Sequence, residues 1–472
     1  MRGFLASSIG VTCATALALP LALTSSDTAA VTRPAAETLP GSTQSLPLGP
    51  LGADRAGGAE PRDQGLARRD VRPFSLVGVV WDDPDVELHG RVQVRTRATG
   101  TTTWSSWQEV ETHNHEHAAD PGTAEGDSGR VRGSTAPLWV GDSDGVELRV
   151  RPDADGADAG RATGRAGRVL PEAESALPAG LRLELVDPGE HPAPPAGAGA
   201  PQGAPAKADG VHQAGLPDAA GGLLTAESAA ASAVNADLAP LGATAVTPLD
   251  RAHTQADLLD ARGGDVAKAR PYIGPRPRIV TRRGWGADES LRERNFAYTR
   301  TVKAAFVHHS ATGNNYSCSQ SPSVLRSIYR YHVKSSGWRD FGYNFAVDKC
   351  GNIYEGRAGG VAKAVLGAHT LGFNSNSMGI AVLGTFTNTR PPKAAVTAVA
   401  KLTAWKLGLY GANPRGTTYL KSGGGNLYKK GSIVRLNVIS GHRDGFATEC
   451  PGRRLYSKLG TARSASARYQ GR

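Results

Sequence analysis

The sequence predicts a multidomain chain. An N-terminal all-β, sandwich-like domain comes first, then a disordered linker, then a C-terminal α/β domain with a central mixed sheet flanked by helices. Three observations lead there. In residues 71–187 apolar and polar residues alternate in short runs separated by Asp, Gly and Pro, as in antiparallel strands with one buried face. Residues 188–269 are rich in Ala, Gly and Pro and hold no Trp, Tyr or Phe, so they offer little surface to offset chain entropy. From residue 270 aromatics return, and strand-like runs mix with helix-period runs, the mark of a sheet with helices packed on it.

The elements follow in chain order. Residues 1–30 read as an export signal, with Arg2 the only charge before Asp27, an apolar run from Ile9 to Leu23, and a cleavage position near Ala30. That run is short for a bilayer. No other segment reaches the ~18 apolar residues of a membrane helix, so the mature chain is expected to be secreted, extracellular or wall-associated, with no transmembrane segment. Residues 31–70, rich in Ala, Pro, Gly and charge, read as disordered. Strands are expected at Phe74–Trp81, Val86–Arg97, Trp104–Val110, Leu138–Val140, Gly145–Arg151 and Leu181–Val186. Within the linker, Leu223–Val234 allows a short helix. The C-terminal domain, 270–472, opens its strands with Ala304–His309. A helix starts near Ser321, with Pro322 in its first turn. Tyr343–Asp348 and Ile353–Glu355 are strands joined by a turn at Lys349–Asn352, and Met378–Gly384 is a buried strand. Lys393–Leu409 has helical spacing, and Ile433–Ser440 reads as one further strand.

Charge divides along the same boundary. The chain carries +11 overall, yet residues 270–472 hold 32 basic against 8 acidic residues, and residues 1–269 hold 22 against 35. A block of +24 attracts polyanions such as nucleic acid, acidic lipid or anionic wall polymers. Export and the lack of any nucleic-acid module exclude nucleic acid as partner.

Of four cysteines, Cys13 leaves with the signal, and an odd number remains. Cys318 can pair with Cys350, leaving Cys450 as a thiolate. Cys350 with Cys450 is the alternative, and a nucleophilic Cys450 activated by His442 is a third arrangement. His308 and His309 end a strand, His442 follows another, and Cys450 comes eight residues later. One of the paired histidines with His442 and Cys450 would make a three-ligand Zn2+ site whose fourth position takes water, as in catalytic zinc centres. Core histidines and an ordinary buried Cys compete with that reading. His113, His115 and His117 lie in an acidic stretch that could bind metal loosely but reads first as a solvated loop. Trp81, Trp104, Trp107 and Trp139 could form a glycan platform, but a sandwich core with one or two of them buried is the favoured reading.

Five ordered motifs carry a resemblance: Phe-Val-His-His-Ser-Ala (306–311), Gly-Trp-Arg-Asp-Phe-Gly-Tyr-Asn-Phe (337–345), Ile-Tyr-Glu-Gly-Arg (353–357), Gly-Ala-His-Thr (367–370) and Gly-His-Arg-Asp…Thr-Glu-Cys-Pro-Gly (441–452). Residues 275–460 resemble the peptidoglycan recognition proteins and the related zinc N-acetylmuramoyl-L-alanine amidases. The β domain looks like the N-terminal modules of secreted actinobacterial members. The resemblance implies zinc held by His308, His442 and Cys450, with His309 turned the other way. It implies that Tyr343 polarises the attacking water or steadies the intermediate, and that Thr448 hydrogen-bonds the developing oxyanion. Arg357, His369 and Asn376 are expected in the groove for the stem peptide, with packing as the competing role. Asp444 is expected behind a ligand and Glu449 at the surface. One departure is Ala358-Gly359-Gly360 after Arg357, where the family commonly has a Trp. The implied activity is hydrolysis of the amide between the muramic acid lactyl group and L-Ala of peptidoglycan. Binding-only members typically lose the cysteine, and non-catalytic peptidoglycan binding is the alternative.

Overall fold

The computed structural model describes residues 40–51, 63–153, 177–190, 224–261 and 271–472. The expected signal at 1–30 lies outside them, as does the middle of the expected linker. The described residues fall in one unit, Thr38–Arg472.

The N-terminal domain is all-β, as expected. Its sheet runs in the order Ser42–Pro47, Arg182–Asp187, Gln64–Trp81, Leu138–Pro152, Gly90–Ala98, Gln108–Val110, and every pairing is antiparallel. Three register shifts interrupt the pairing of Gln64–Trp81 with Leu138–Pro152; such irregularities bend and twist a strand. Leu66 near one end of that strand and Val79 near the other share one core cluster, so the sheet curls around it. Trp81 is fully buried. Trp139 is buried too, while Trp104 and Trp107 are half-buried and stacked under Arg68, Arg95 and Arg149.

Two stretches expected to lack structure are ordered. Ser42–Pro47 and the start of Gln64–Trp81 lie in the supposedly disordered 31–70. Their strands are held by a backbone ladder, which composition does not reveal. In the stretch read as linker, the short helix allowed at Leu223–Val234 is present as Ala226–Ala233, while Ala245–Val246 and Arg251–Ala261 depart from the linker reading. Thr225 caps the first of these helices by accepting from the Ser228 N–H, and Val246 and Leu258 enter the C-terminal core.

The C-terminal sheet is mixed, in the order Ile439–Gly441, Ala304–His309, Ser377–Val382, Phe345–Val347, Ile353–Glu355, Ile279–Val280, Ala245–Val246. Ala304–His309 is second from one edge and parallel to both of its neighbours. The helices Lys393–Leu409 and Leu459–Gln470 cover one face through Leu402, Trp405 and Leu459. Ser321–Arg330 covers the other through Val324, Leu325 and Ile328. The expected strand Ile433–Ser440 is two strands. Ile433–Asn437 forms a separate hairpin with Thr417–Lys421, and Ile439–Gly441 crosses into the main sheet.

The two domains share a core. Leu76, Val80 and Trp139 of the β domain pack with Tyr331 and the helix Ser321–Arg330. Trp139 donates its backbone N–H to Thr312 O at 3.1 Å. The Tyr331 hydroxyl reaches Val79 O and Thr135 O at 3.3 and 3.1 Å. Gly78 leaves room for this ring, since a Cβ there would lie 2.4 Å from the Tyr331 hydroxyl. Gly78→Ala should therefore destabilise the chain by about 1–3 kcal/mol, read by thermal melting, with faster proteolysis between the domains.

Candidate metal centre

The site begins with strand alternation. In Ala304–His309, Ala305 and Val307 enter the core under Lys393–Leu409, while Ala304 and Phe306 face the other way. His308 follows the second set. His309 follows the first, and its Nδ1 accepts the Phe386 N–H at 3.2 Å. Parallel pairing with Ile439–Gly441 sets the start of the next turn, His442–Asp444, beside His308. The rings of His308 and His442 are 4.5 Å apart. Cys450 Sγ lies 3.8 Å from His308 Nδ1. Sequence-distant His308, His442 and Cys450 are thus brought together, and all three are buried.

Cys450 is a free thiol, because Cys318 is disulfide-bonded to Cys350. The alternative pairing of Cys350 with Cys450 is excluded.

A fourth donor joins them from the other domain. His117, read from sequence as a solvated loop residue, is buried, with its ring 4.4 Å from His442 and 5.3 Å from His308. Ligand atoms of His117, His308, His442 and Cys450 all lie within 4.8 Å of one another. The ring nitrogens of His117 and His442 are buried without a hydrogen bond of good geometry. Burial, then the neighbouring histidines, hold His308 and His442 well below the usual imidazole range. Both rings are therefore neutral at neutral pH. Burial also pushes the Cys450 thiol well up, so it needs a cation to become a thiolate. Three converging imidazoles and one sulfur, with the nitrogens of His117 and His442 unsatisfied, fit a divalent metal ion that accepts mixed nitrogen and sulfur donors.

The other expected residues divide. The Tyr343 ring packs 5.2 Å from His308, and burial, then Cys450, hold its hydroxyl protonated. Thr448 accepts the Cys450 N–H at 3.1 Å and donates to Glu116 at 2.7 Å. Arg357 is buried and forked onto Glu125 at 2.7 and 2.9 Å. His369 packs 5.4 Å from His308, and burial holds its pKa down to about 3.

Asn376 is a correction. It precedes Ser377, which pairs with Ala304 at the start of the strand that ends in His308 and His309. It therefore lies at the opposite end of the sheet, with a left-handed backbone (φ 59°) and its side chain tied to Thr299. Asn374 is the asparagine on the site side, giving its amide to Ala118 O and Asp120. Asp444 is also placed differently. Its carboxylate takes the Gly441 N–H and the Tyr456 hydroxyl, holding the backbone before His442 rather than the ring. Glu449 is exposed and pairs with Arg443.

Sequence reasoning did not place the β-domain segment 111–134 against His308, His442, Tyr343, Thr448 and Arg357, where it lies. Its one available signal was a third spaced histidine in an acidic stretch.

Comparison with known proteins agrees with this architecture. The family model for N-acetylmuramoyl-L-alanine amidase matches residues 298–453, and that for the Rv3811 N-terminal galactose-binding domain-like family matches residues 28–173. Peptidoglycan-recognition protein SC2 of Drosophila simulans is 30% identical over 185 residues, covering 39% of this chain and 85% of the relative. Its Drosophila melanogaster counterpart matches with the same identity and coverage. A solved structure of a Drosophila PGRP-LB mutant in complex with tracheal cytotoxin is 26% identical, covers 39% of this chain and 93% of that one, and gives a TM-score of 0.31.

The depressed His369 has a measurable consequence. Between pH 6.5 and about 3 the unfolded chain binds a proton there that the folded chain excludes, so this residue's contribution to stability falls as pH falls through that window. His369→Gln should flatten the acid limb of the stability curve by up to about 1.4 kcal/mol per pH unit, read by denaturant titration at a series of pH values.

Proposed function

We propose, from the premise that this chain belongs to the peptidoglycan recognition protein family, that it is a zinc-dependent N-acetylmuramoyl-L-alanine amidase. It would cleave the amide between the muramic acid lactyl group and L-Ala of peptidoglycan. The observation that carries this reading is the convergence of buried His308, His442 and Cys450 on one point beside Tyr343. Export into an oxidising compartment is supported by the disulfide,. No described helix is long and apolar enough to cross a membrane.

Zinc in this site would supply Lewis acidity, polarising a carbonyl and bringing water's pKa toward ~7. The chain's own groups do the rest. His308 and His442 offer neutral imidazoles, and Cys450 offers a thiolate that shields a buried dication. Tyr343 keeps its proton and can donate it in a hydrogen bond to oxygen at the reacting carbon. The Thr448 hydroxyl can donate to the oxyanion as the tetrahedral carbon forms, and losing one such donor costs about 10²–10³ in rate. The Arg357 fork suits a carboxylate of the stem peptide.

Free amines, without new sugar reducing ends, should appear when the wild-type chain or its His117→Ala variant is incubated with purified walls and zinc. Cys450→Ser should abolish them. No amine from either active form, together with undiminished wall binding by Cys450→Ser, would assign the non-catalytic binding role instead. Metal stripping offers a second check. Zinc at a thousandfold excess over its Kd should stabilise the stripped chain by about 4 kcal/mol, and the gain in melting temperature should vanish in His442→Ala and Cys450→Ala.

A further inference from the structure

The groups assigned to the reaction are all covered by one segment of the β domain, and each is matched to a particular side chain of it. The ligand atom of His117 lies with those of His308, His442 and Cys450. The carboxylate of Glu116 takes the Thr448 proton at 2.7 Å. The carboxylate of Glu125 takes both arms of Arg357. These are the three places where a substrate needs a metal position, an oxyanion donor and a carboxylate receptor. Backbone bonds pin the segment between these points. Leu371 N–H donates to Glu116 O at 2.9 Å, and Gly372 N–H donates to Asp120 at 2.7 Å.

Burial shows that the cover is complete. His308 and His442 are 0% exposed, Cys450 3% and Tyr343 4%. A polymeric substrate cannot reach groups so enclosed without the segment moving. A single surface contact would not hold such a cover, since exposed ion pairs contribute ~0–1 kcal/mol. This one holds through buried partners. The Arg357 and Glu125 side chains are 4% and 7% exposed, and breaking such a buried pair is far more costly than breaking an exposed one, because it strands an unpaired charge.

We infer that residues 111–134 are a built-in strap that keeps the site latent, with His117 as a fourth protein ligand closing the metal centre and Glu116 and Glu125 occupying the places of substrate groups. The inference rests on the metal reading of His308, His442 and Cys450 and adds the regulation of that site. A four-ligand centre has no position for water or a carbonyl, which is the arrangement of structural rather than catalytic zinc. Lifting the strap removes His117, frees the Thr448 proton and exposes Arg357 together, because one short segment carries all three contacts. Anionic groups that compete for Arg357 favour the lifted state, and activity scales with the fraction of chains in it.

The test uses the full chain loaded with Co2+, whose visible bands report what surrounds the metal, and azide as a small probe ligand. The wild-type spectrum should not change with azide. The spectra of His117→Ala and of the double variant Glu116→Gln, Glu125→Gln should shift, the second keeping every metal ligand while loosening the strap. A wild-type centre that takes azide as readily as the variants overturns the inference, as does double-variant behaviour identical to wild type. In parallel, amine release from walls should be roughly tenfold or more faster in the zinc-loaded double variant than in wild type. An azide difference with no amine from any form leaves the strap standing and removes the amidase reading. Amine release with no azide difference does the reverse, and a chain that takes up no cobalt removes both.

Discussion

Burying several polar donors without partners is the constraint on which this structure turns. A buried hydrogen-bonding group left unsatisfied costs about 1–3 kcal/mol, and His117 and His442 together leave four ring nitrogens in that state beside a buried thiol. Water or a surface chain end would relieve such a cost, but the sheet, the Phe306 cluster and the strap enclose the site. A metal ion held by three imidazoles and a thiolate relieves it with far more to spare, since structural zinc sites bind with roughly 10–16 kcal/mol. The donor set makes sense as a metal centre and is expensive as anything else.

The rest of the fold serves to bring these donors together and hold them still. Two parallel strands, Ala304–His309 and Ile439–Gly441, deliver His308 and His442 from opposite ends of the domain sequence. The Asp444 carboxylate fixes the backbone turn between that second strand and His442. The Cys318–Cys350 disulfide ties the chain just before the helix Ser321–Arg330 to the turn between two sheet strands, so the helix that faces the β domain is anchored to the sheet that carries the site. Tyr331 then locks that helix to the β domain through Val79 and Thr135. Residues 111–134, the β sheet and the histidine and cysteine cluster form one connected assembly rather than two loosely tethered domains.

This coupling gives the charge division of the chain a second meaning. The basic block of the C-terminal domain suggests a polyanionic partner outside the molecule. Inside it, one of those cations, Arg357, is already matched by Glu125 of the acidic half. An acidic segment seated over basic and hydroxyl donors presents to the site the kind of charge that an anionic substrate would bring. The nitrogen and sulfur ligands have no such sign preference, and their cover is an imidazole.

Much was legible in the sequence because it is local or periodic. Ala304–His309, Lys393–Leu409 and Ile353–Glu355 have the ends their residue patterns imply, since alternation and helical spacing are written directly in neighbouring residues. His308, His442, Cys450 and Tyr343 could be selected by motif and by counting thiols. What failed was non-local. The order of Ser42–Pro47 and Ala245–Val246 comes from partners far along the chain, and the split at Val438 comes from one run serving two sheets. Asn376 was misplaced because its motif neighbourhood says nothing about which end of the strand it occupies. His117 was the largest omission, since a histidine in an acidic loop has the same local signature whether it meets water or a metal centre. Its role was decided only when the docked β domain carried it to residues nearly two hundred positions and more away, because burial and coordination depend on distance in space and composition records none.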